Sequence, residues 1–353
     1  MSPKSRSRLR RPLPPFKSVT LQGRHPGPRL VVTGGVHGNE TCGTAGILAV
    51  LDEIDRGALV IDAGTVTFVP VANPLARALG RRCGDRNLNR ALSPVEAPRE
   101  FEDEVANWLC PLLAAHDVLL DLHSFSGADG APFVLVGPTD NDGPLEPFAH
   151  AMHEESLARR LGVDRVVHGW LRTYADGVAR RRAHAQSLTL ARAQAAGRTT
   201  ASSSAGANGD AASLDLDWRF GIGTTEYMRQ CGGWALTLEC GAHEDPRAPA
   251  VAASAIRRTL AHLGLVDAPP PAPAPRIEGL RLVEAVDRWH RADRWTRDWR
   301  PFDPVAAGEV IAVRRDGSAL RAAHAGRIVF PNPYATIGEE WYYLAEDSDR
   351  FAA

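Results

Sequence analysis

The 353-residue chain has five cysteines, Cys42, Cys83, Cys110, Cys231 and Cys240, and no C-x-x-C pair among them. An odd number without close pairs suggests neither a disulfide framework nor a thiolate zinc site. Lysine is scarcer still: Lys4 and Lys17 are the only two, so nothing beyond position 17 can carry biotin or lipoate. No uncharged apolar stretch approaches the roughly 18 residues of a spanning helix. Neither sign of charge prevails, and a formal net charge of -1 excludes a globally basic nucleic-acid binder. Hydrophobic residues at 44% and charged residues at 24% exclude a wholly disordered, collagenous or membrane chain. The opening MSPKSRSRLRRPLPPF places Pro12, Pro14 and Pro15 where a signal peptide needs an apolar helix, so it reads as a disordered basic tail. Together with the cysteine usage, this predicts a cytoplasmic protein.

The length suits one large domain, or one large and one small. From residue 29 short apolar runs alternate with amphipathic ones, which is the α/β pattern. Strands are expected at Arg29–Thr33, Thr65–Val71, Val118–Leu122, Phe133–Val136 and Trp234–Leu238. Helices are expected at Glu40–Asp55, Arg99–Ala115, Leu145–Leu161 and Ala248–Leu263. The fold class is therefore α/β: a mixed, mostly parallel sheet flanked by helices, followed by a small C-terminal all-β domain. Two segments interrupt the rhythm. Ala191–Ser213 has no aromatic residue and is mostly Ala, Ser, Gly and Thr, so it reads as a mobile low-complexity insertion. Pro269–Pro275 (PPPAPAP) reads as a spacer, giving boundaries of 1–28 for the lead-in, 29–265 for the main domain, 266–276 for the linker and 277–353 for the β domain.

The most informative stretch is VVTGGVHGNE, residues 31–40, where an apolar strand releases His37 and Glu40 onto a loop that leads into a helix. Ligands of open α/β sheets gather at the carboxyl ends of strands. An imidazole and a carboxylate three residues apart can meet on one cation there, although H-x-x-E alone also fits ordinary helix N-terminal chemistry. VLLDLHS, residues 118–124, is a second apolar strand that delivers His123 at its end. Two histidines and one glutamate make a three-ligand zinc set that leaves a position for water. Asp121 lies on the same side of its strand as His123 and is either a partner orienting that imidazole or the cap of a turn.

WALTLECG, residues 234–241, sets Glu239 at the end of a third apolar strand, where a carboxylate is costly without a task or a partner. It is a candidate general base and acid, the alternative being an ion pair with an arginine. RRCGDRNLNR, residues 81–90, offers four arginines and two asparagines in a loop. Guanidinium groups can grip carboxylates and polarise an oxyanion, while Arg81 and Arg86 read as solvated surface.

These motifs, with ANPLA at residues 72–76 between them, resemble in content and order the succinylglutamate desuccinylase and aspartoacylase family, a branch of the zinc carboxypeptidase fold. The resemblance runs over most of residues 29–265 and implies a zinc-dependent catalytic domain. It implies that His37, Glu40 and His123 hold one zinc ion and that Glu239 is the catalytic acid and base. It further implies that Arg82 polarises the scissile carbonyl, and that Asn89 and Arg90 grip the substrate carboxylate. Where the family usually reads Asp-Leu-Asn-Arg, this chain has Asn87-Leu88-Asn89-Arg90, a lost negative charge beside Arg90 that points to a different substrate.

The activity so implied is zinc-dependent hydrolysis of an amide bond in an N-acyl amino acid or similar small carboxylate. An ester would yield to the same attack. The alternatives are a zinc carboxypeptidase acting on peptide C-termini and, from another class, a non-catalytic metal-binding scaffold. The expected partner is a small carboxylate substrate, with no nucleic acid and no membrane; a homo-oligomer is left open. His116, His150, His153, His184, His262 and His324 lack metal-like partners in sequence; His243 with Glu244 follows Glu239 closely, an alternative ligand position that is not adopted. Trp289, Trp295 and Trp299 among Arg288, Arg291, Arg294, Arg297 and Arg300 are read as packing of the small domain rather than as a nucleic-acid surface. The run Phe302–Glu346 resembles half of a lipoyl-type barrel, and without a lysine it is read as a cover or interaction module.

Overall fold

Successive residues of a strand point to opposite faces, so the apolar run Leu30-Val31-Val32 can be buried only if both faces of its sheet are covered. Leu30 and Val32 enter one apolar cluster and Val31 another, and all three are fully buried. The computed structural model describes residues 15–127, 130–143, 145–196 and 217–352. The expected basic tail up to residue 14 and residues 197–213 of the expected insertion lie outside them.

In chain order the described residues form β1 (Val19–Gln22), β2 (His25–Gly34), α1 (Cys42–Asp55), β3 (Ala63–Val69), α2 (Pro74–Leu79), α3 (Phe101–Ala114), β4 (Val118–Phe125), β5 (Phe133–Leu135), α4 (Ala151–Ala158), β6 (Arg165–His168), α5 (Trp170–Ala196), α6 (Thr224–Gln230), β7 (Trp234–Ala242) and α7 (Ala248–His262). The C-terminal part adds β8 (Glu278–Asp287), β9 (Arg294–Trp295), β10 (Pro304–Val305), β11 (Val310–Val313), β12 (Ala319–Arg321), β13 (Gly326–Val329) and β14 (Glu340–Asp347). Eleven strands make one sheet in the order β1-β3-β2-β4-β7-β5-β6-β8-β14-β13-β10, and β12-β11-β9 make a second.

The large sheet is mixed and, within the main domain, mostly parallel, as expected. Neighbours from β3 through β2 and β4 to β7 run parallel, as do β5, β6 and β8, whereas β5 opposes β7 and every pairing beyond β8 is antiparallel. Helices α1 and α7 cover one face, with Ile47, Val50, Ile256 and Leu260 against Leu120 and Leu236. Helix α3 covers the other, with Phe101, Val105 and Leu109 against Leu119 and Ala235.

Two expectations change in detail. Ala191–Ala196 belong to α5 instead of opening an insertion, in keeping with the high helix propensity of alanine. The proline-rich spacer turns the chain without ending the sheet, because β8 beyond it pairs in parallel with β6 before it. The C-terminal β region is also tied to the main body by aromatic packing. Phe302 and Phe330 meet Phe133 of β5 at ring-centroid distances of 4.9 and 5.5 Å. Both adopt positive φ, 66° and 49°, a conformation that costs a non-glycine residue free energy and persists only where packing enforces it. Trp299 is buried and donates to the Ile311 carbonyl, Trp295 stacks on Trp341, and Trp289 stacks on His184. Among the described residues no helix is long and apolar enough to cross a membrane.

Candidate metal centre and active site

Strand register assembles the site. Thr33, Asp121 and Thr237 lie side by side on β2, β4 and β7, and two residues further on His123 pairs with Glu239. Asp121 and His123 share the parity of Leu119, and Glu239 that of Ala235, so all three side chains project from the α3 face at the carboxyl ends of parallel strands. His37 and Glu40 arrive on the loop after β2. Gly35 starts that loop at φ +62°, which a side chain would strain, and Gly38 lies so close to α2 that a Cβ would fall 2.0 Å from the Ala76 carbonyl carbon.

His37, Glu40 and His123 are all buried, and one potential ligand atom from each lies within 4.8 Å of the others, the one such cluster of donors among the described residues. Glu40 is the hub. Its Oε1 accepts from Arg82 Nη1 at 2.9 Å and lies 2.7 Å from His37 Nδ1, while its Oε2 meets His123 Nδ1 at 2.9 Å and accepts from the Ser124 backbone N–H at 3.1 Å. Despite the close approach, His37 Nδ1 has no hydrogen-bond partner. The far nitrogens are engaged: His37 Nε2 with Asn87 Oδ1 at 3.1 Å, and His123 Nε2 with Asp121 Oδ2 at 2.8 Å. Rings held from behind, with Nδ1 of each turned to one carboxylate, suit a divalent cation of borderline softness such as zinc.

Burial and then the Arg82 charge push the His37 pKa down to about 4. Burial opposes charge on His123 as well, but Asp121 and Glu40 outweigh it and hold its pKa well above the ordinary range. Glu239 is buried, its Oε2 has no hydrogen-bond partner, and burial pushes its pKa up to about 8. The expected alternative, an ion pair with an arginine, is not among its contacts in the described residues. A proton-poised carboxyl facing a cluster of metal-type donors is an arrangement for acid–base chemistry.

The arginine loop is held by α3. Glu102 accepts from the backbone N–H groups of Gly84, Asp85 and Arg86 at 2.8, 3.0 and 3.1 Å. Arg86, expected to be solvated surface, pairs with Asp103 at 3.0 Å and donates to the Arg90 carbonyl, so it clamps the loop. Arg82 reaches the Glu40 hub and is half exposed. Asn89 and Arg90 lie deeper and are engaged within the chain. Asn89 Oδ1 accepts from the Thr224 N–H at 2.9 Å, and the Arg90 guanidinium lies over Trp170 and Tyr174 with Glu340 at 3.8 Å. The lost charge at Asn87 was expected to act on Arg90, but its side chain meets His37 instead. His243, set aside by sequence, contacts Ser124 Oγ at 2.8 Å beside the donor cluster.

Residues 26–155 match the catalytic-domain model of succinylglutamate desuccinylases and aspartoacylases. Over that stretch the chain is similar to this family. A probable aspartoacylase of Parasynechococcus marenigrum is 33% identical over 116 residues, 31% of this chain and 37% of that protein. An N-acyl-aromatic-L-amino acid amidohydrolase of Rattus norvegicus is 38% identical over 121 residues, again 31% of this chain and 37% of that protein. The match thus spans little more than a third of the length of either relative. A family member of known structure, from Rhodobacter sphaeroides, superposes with a TM-score of 0.64 at 17% identity over 94% of this chain and 89% of its own, a likeness of fold that takes in the C-terminal β region.

Proposed function

We propose that the chain is a zinc-dependent amidohydrolase that splits an N-acyl amino acid into a carboxylate and a free amine. The observation that carries the reading is the buried Glu239 carboxyl, unpartnered at Oε2, on the strand register of His123 and beside the His37–Glu40–His123 donor group. The names of the two curated relatives, an aspartoacylase and an N-acyl-aromatic amino acid amidohydrolase, support this substrate class.

In this reading His37, Glu40 and His123 hold one zinc ion, which when bound supplies Lewis acidity and lowers the pKa of a water to about 7. Glu239 takes the proton of the attacking water and passes it to the departing amine, a role suited to a carboxyl with a raised proton affinity. Arg82, half exposed at the mouth of the cluster, turns its guanidinium to the charge that develops on the carbonyl oxygen. Asn89 holds the loop that presents Arg90, and Arg90 receives the substrate carboxylate from its seat on Trp170 and Tyr174. Residues 29–265 form the catalytic unit and 277–353 a β unit that buttresses it through Phe302 and Phe330. A cytoplasmic setting is consistent with five free cysteines.

The test is amine release by zinc-loaded protein from N-acetyl, N-succinyl and N-formyl amino acids and short peptides. Release from N-acyl amino acids supports the proposal, whereas release from peptides alone replaces it with a carboxypeptidase.

A further inference from the structure

The two imidazoles are joined behind the donor cluster by a continuous hydrogen-bonded path. His37 Nε2 lies 3.1 Å from Asn87 Oδ1, which also accepts from the Asn89 N–H at 2.9 Å. Asn89 Oδ1 accepts from the Thr224 N–H at 2.9 Å. The Thr224 hydroxyl donates to Asp121 Oδ2, the same oxygen that lies 2.8 Å from His123 Nε2, and Asp121 Oδ1 accepts from the Thr33 hydroxyl at 2.6 Å. An amide oxygen and an ionised carboxylate accept only, so both rings must present N–H at Nε2 and leave Nδ1 for the cluster.

Thr224 occupies the middle of this path. It opens α6, is buried, and lies 103 residues from Asp121 and 135 from Asn89 in the chain. Its room is reserved: a Cβ on the preceding Gly223 would fall 2.1 Å from Asn89 Oδ1, so only glycine there lets Asn89 reach the start of α6. We infer that Thr224 is a positioning residue for the metal centre, its hydroxyl fixing the Asp121 carboxylate that orients His123 and its backbone N–H fixing the Asn89–Asn87 arm that orients His37. This rests on the proposed donor role of His37, Glu40 and His123. Thr224 itself touches neither the cation nor the substrate.

The hydroxyl can be removed without the N–H. Thr224→Val keeps the shape and the Asn89 arm but removes the hydroxyl donor to Asp121 Oδ2 while Thr33 still donates to Oδ1, Thr224→Ala does the same with less bulk, and Thr224→Ser restores the donor. Zinc dissociation constants are read by chelator competition on the full chain, beside the melting temperature of each metal-free variant. Loss of a direct outer partner of a metal ligand weakens affinity by about 10–100-fold, and Thr224 acts one contact further out through Asp121, so a loss at the lower end, about tenfold, applies. That loss is expected for whichever of the valine and alanine variants retains the wild-type metal-free melting temperature, with Thr224→Ser within about threefold of wild type. Wild-type zinc affinity in a folded valine or alanine variant would overturn the inference and leave the donor set standing. Failure of the wild type itself to bind one zinc ion would overturn the donor set and the inference with it.

Discussion

Replacing Glu239 by glutamine separates chemistry from metal binding and from folding in one side chain. The amide is isosteric, and because Oε2 has no hydrogen-bond partner the change breaks none there. A general base contributes about 10²–10⁴ in rate, so kcat of the zinc-loaded variant should fall by that factor, about 2.7–5.5 kcal/mol in barrier, with bound zinc unchanged. The same substitution has an opposite effect on stability when the metal is stripped. Burial raises the folded-state pKa of Glu239 from its ordinary 4.5 to about 8. The folded chain therefore holds a proton that the unfolded chain has released between those values, and this group costs stability as pH rises through them. At about 1.4 kcal/mol per tenfold in proton affinity the ceiling is about 4–5 kcal/mol above pH 8. Glutamine does not titrate. In EDTA, Glu239→Gln should melt close to wild type at pH 5 and increasingly above it toward pH 9, as read by thermal denaturation. Turnover near that of wild type, or zinc lost with activity, would refute the assignment; a melting difference independent of pH would refute the burial argument.

Three other outcomes follow from the same geometry. Arg82→Ala should lower kcat by about 10²–10³ in steady-state assays on an N-acyl amino acid, the usual cost of removing one oxyanion donor. Gly38→Ala should lower the melting temperature and zinc affinity together, by about 1–3 kcal/mol in stability, because its Cβ meets the Ala76 backbone and not a movable side chain. Glu146 lies 3.6 Å from Arg229, and burial, against the pull of Arg229, lifts its pKa to about 8. Its raised value again costs stability as pH rises from 4.5 to 8, so Glu146→Gln should gain over wild type in denaturant midpoint at pH 8.5 and lose that gain by pH 5.

What could be read from the sequence was what repeats locally. Apolar runs located β2, β3, β4, β5 and β7 to within a few residues, and the side chains at their ends, His37, Glu40, His123 and Glu239, are those the sheet brings together. Strand β6 was missed because Arg165–His168 offers only two buried apolar residues, and α5 because its polar, alanine-rich course carries little amphipathic pattern. Contacts between distant segments left no local trace. Arg86 looked like surface because its partner Asp103 comes 17 residues later in the first turn of α3. In sequence Asn87 stands out only as a missing charge near Arg90, whereas the fold turns its amide to His37 across 50 residues. Thr224 belongs to no motif and acquires its place only when α6 docks on β4. The proline spacer marked a change of composition, but hydrogen bonding between β6 and β8 carries the sheet past it.

The central claim is that His37, Glu40 and His123 hold one zinc ion with which Glu239 hydrolyses an N-acyl amino acid. It is tested most directly by titrating zinc into EDTA-stripped protein while measuring bound metal and amine release in the same samples. The account predicts that both rise together to a break at one zinc per chain, and that His37→Ala and His123→Ala abolish the two in parallel. Full amine release from the stripped protein, or saturable zinc uptake unchanged in both histidine variants, would contradict it.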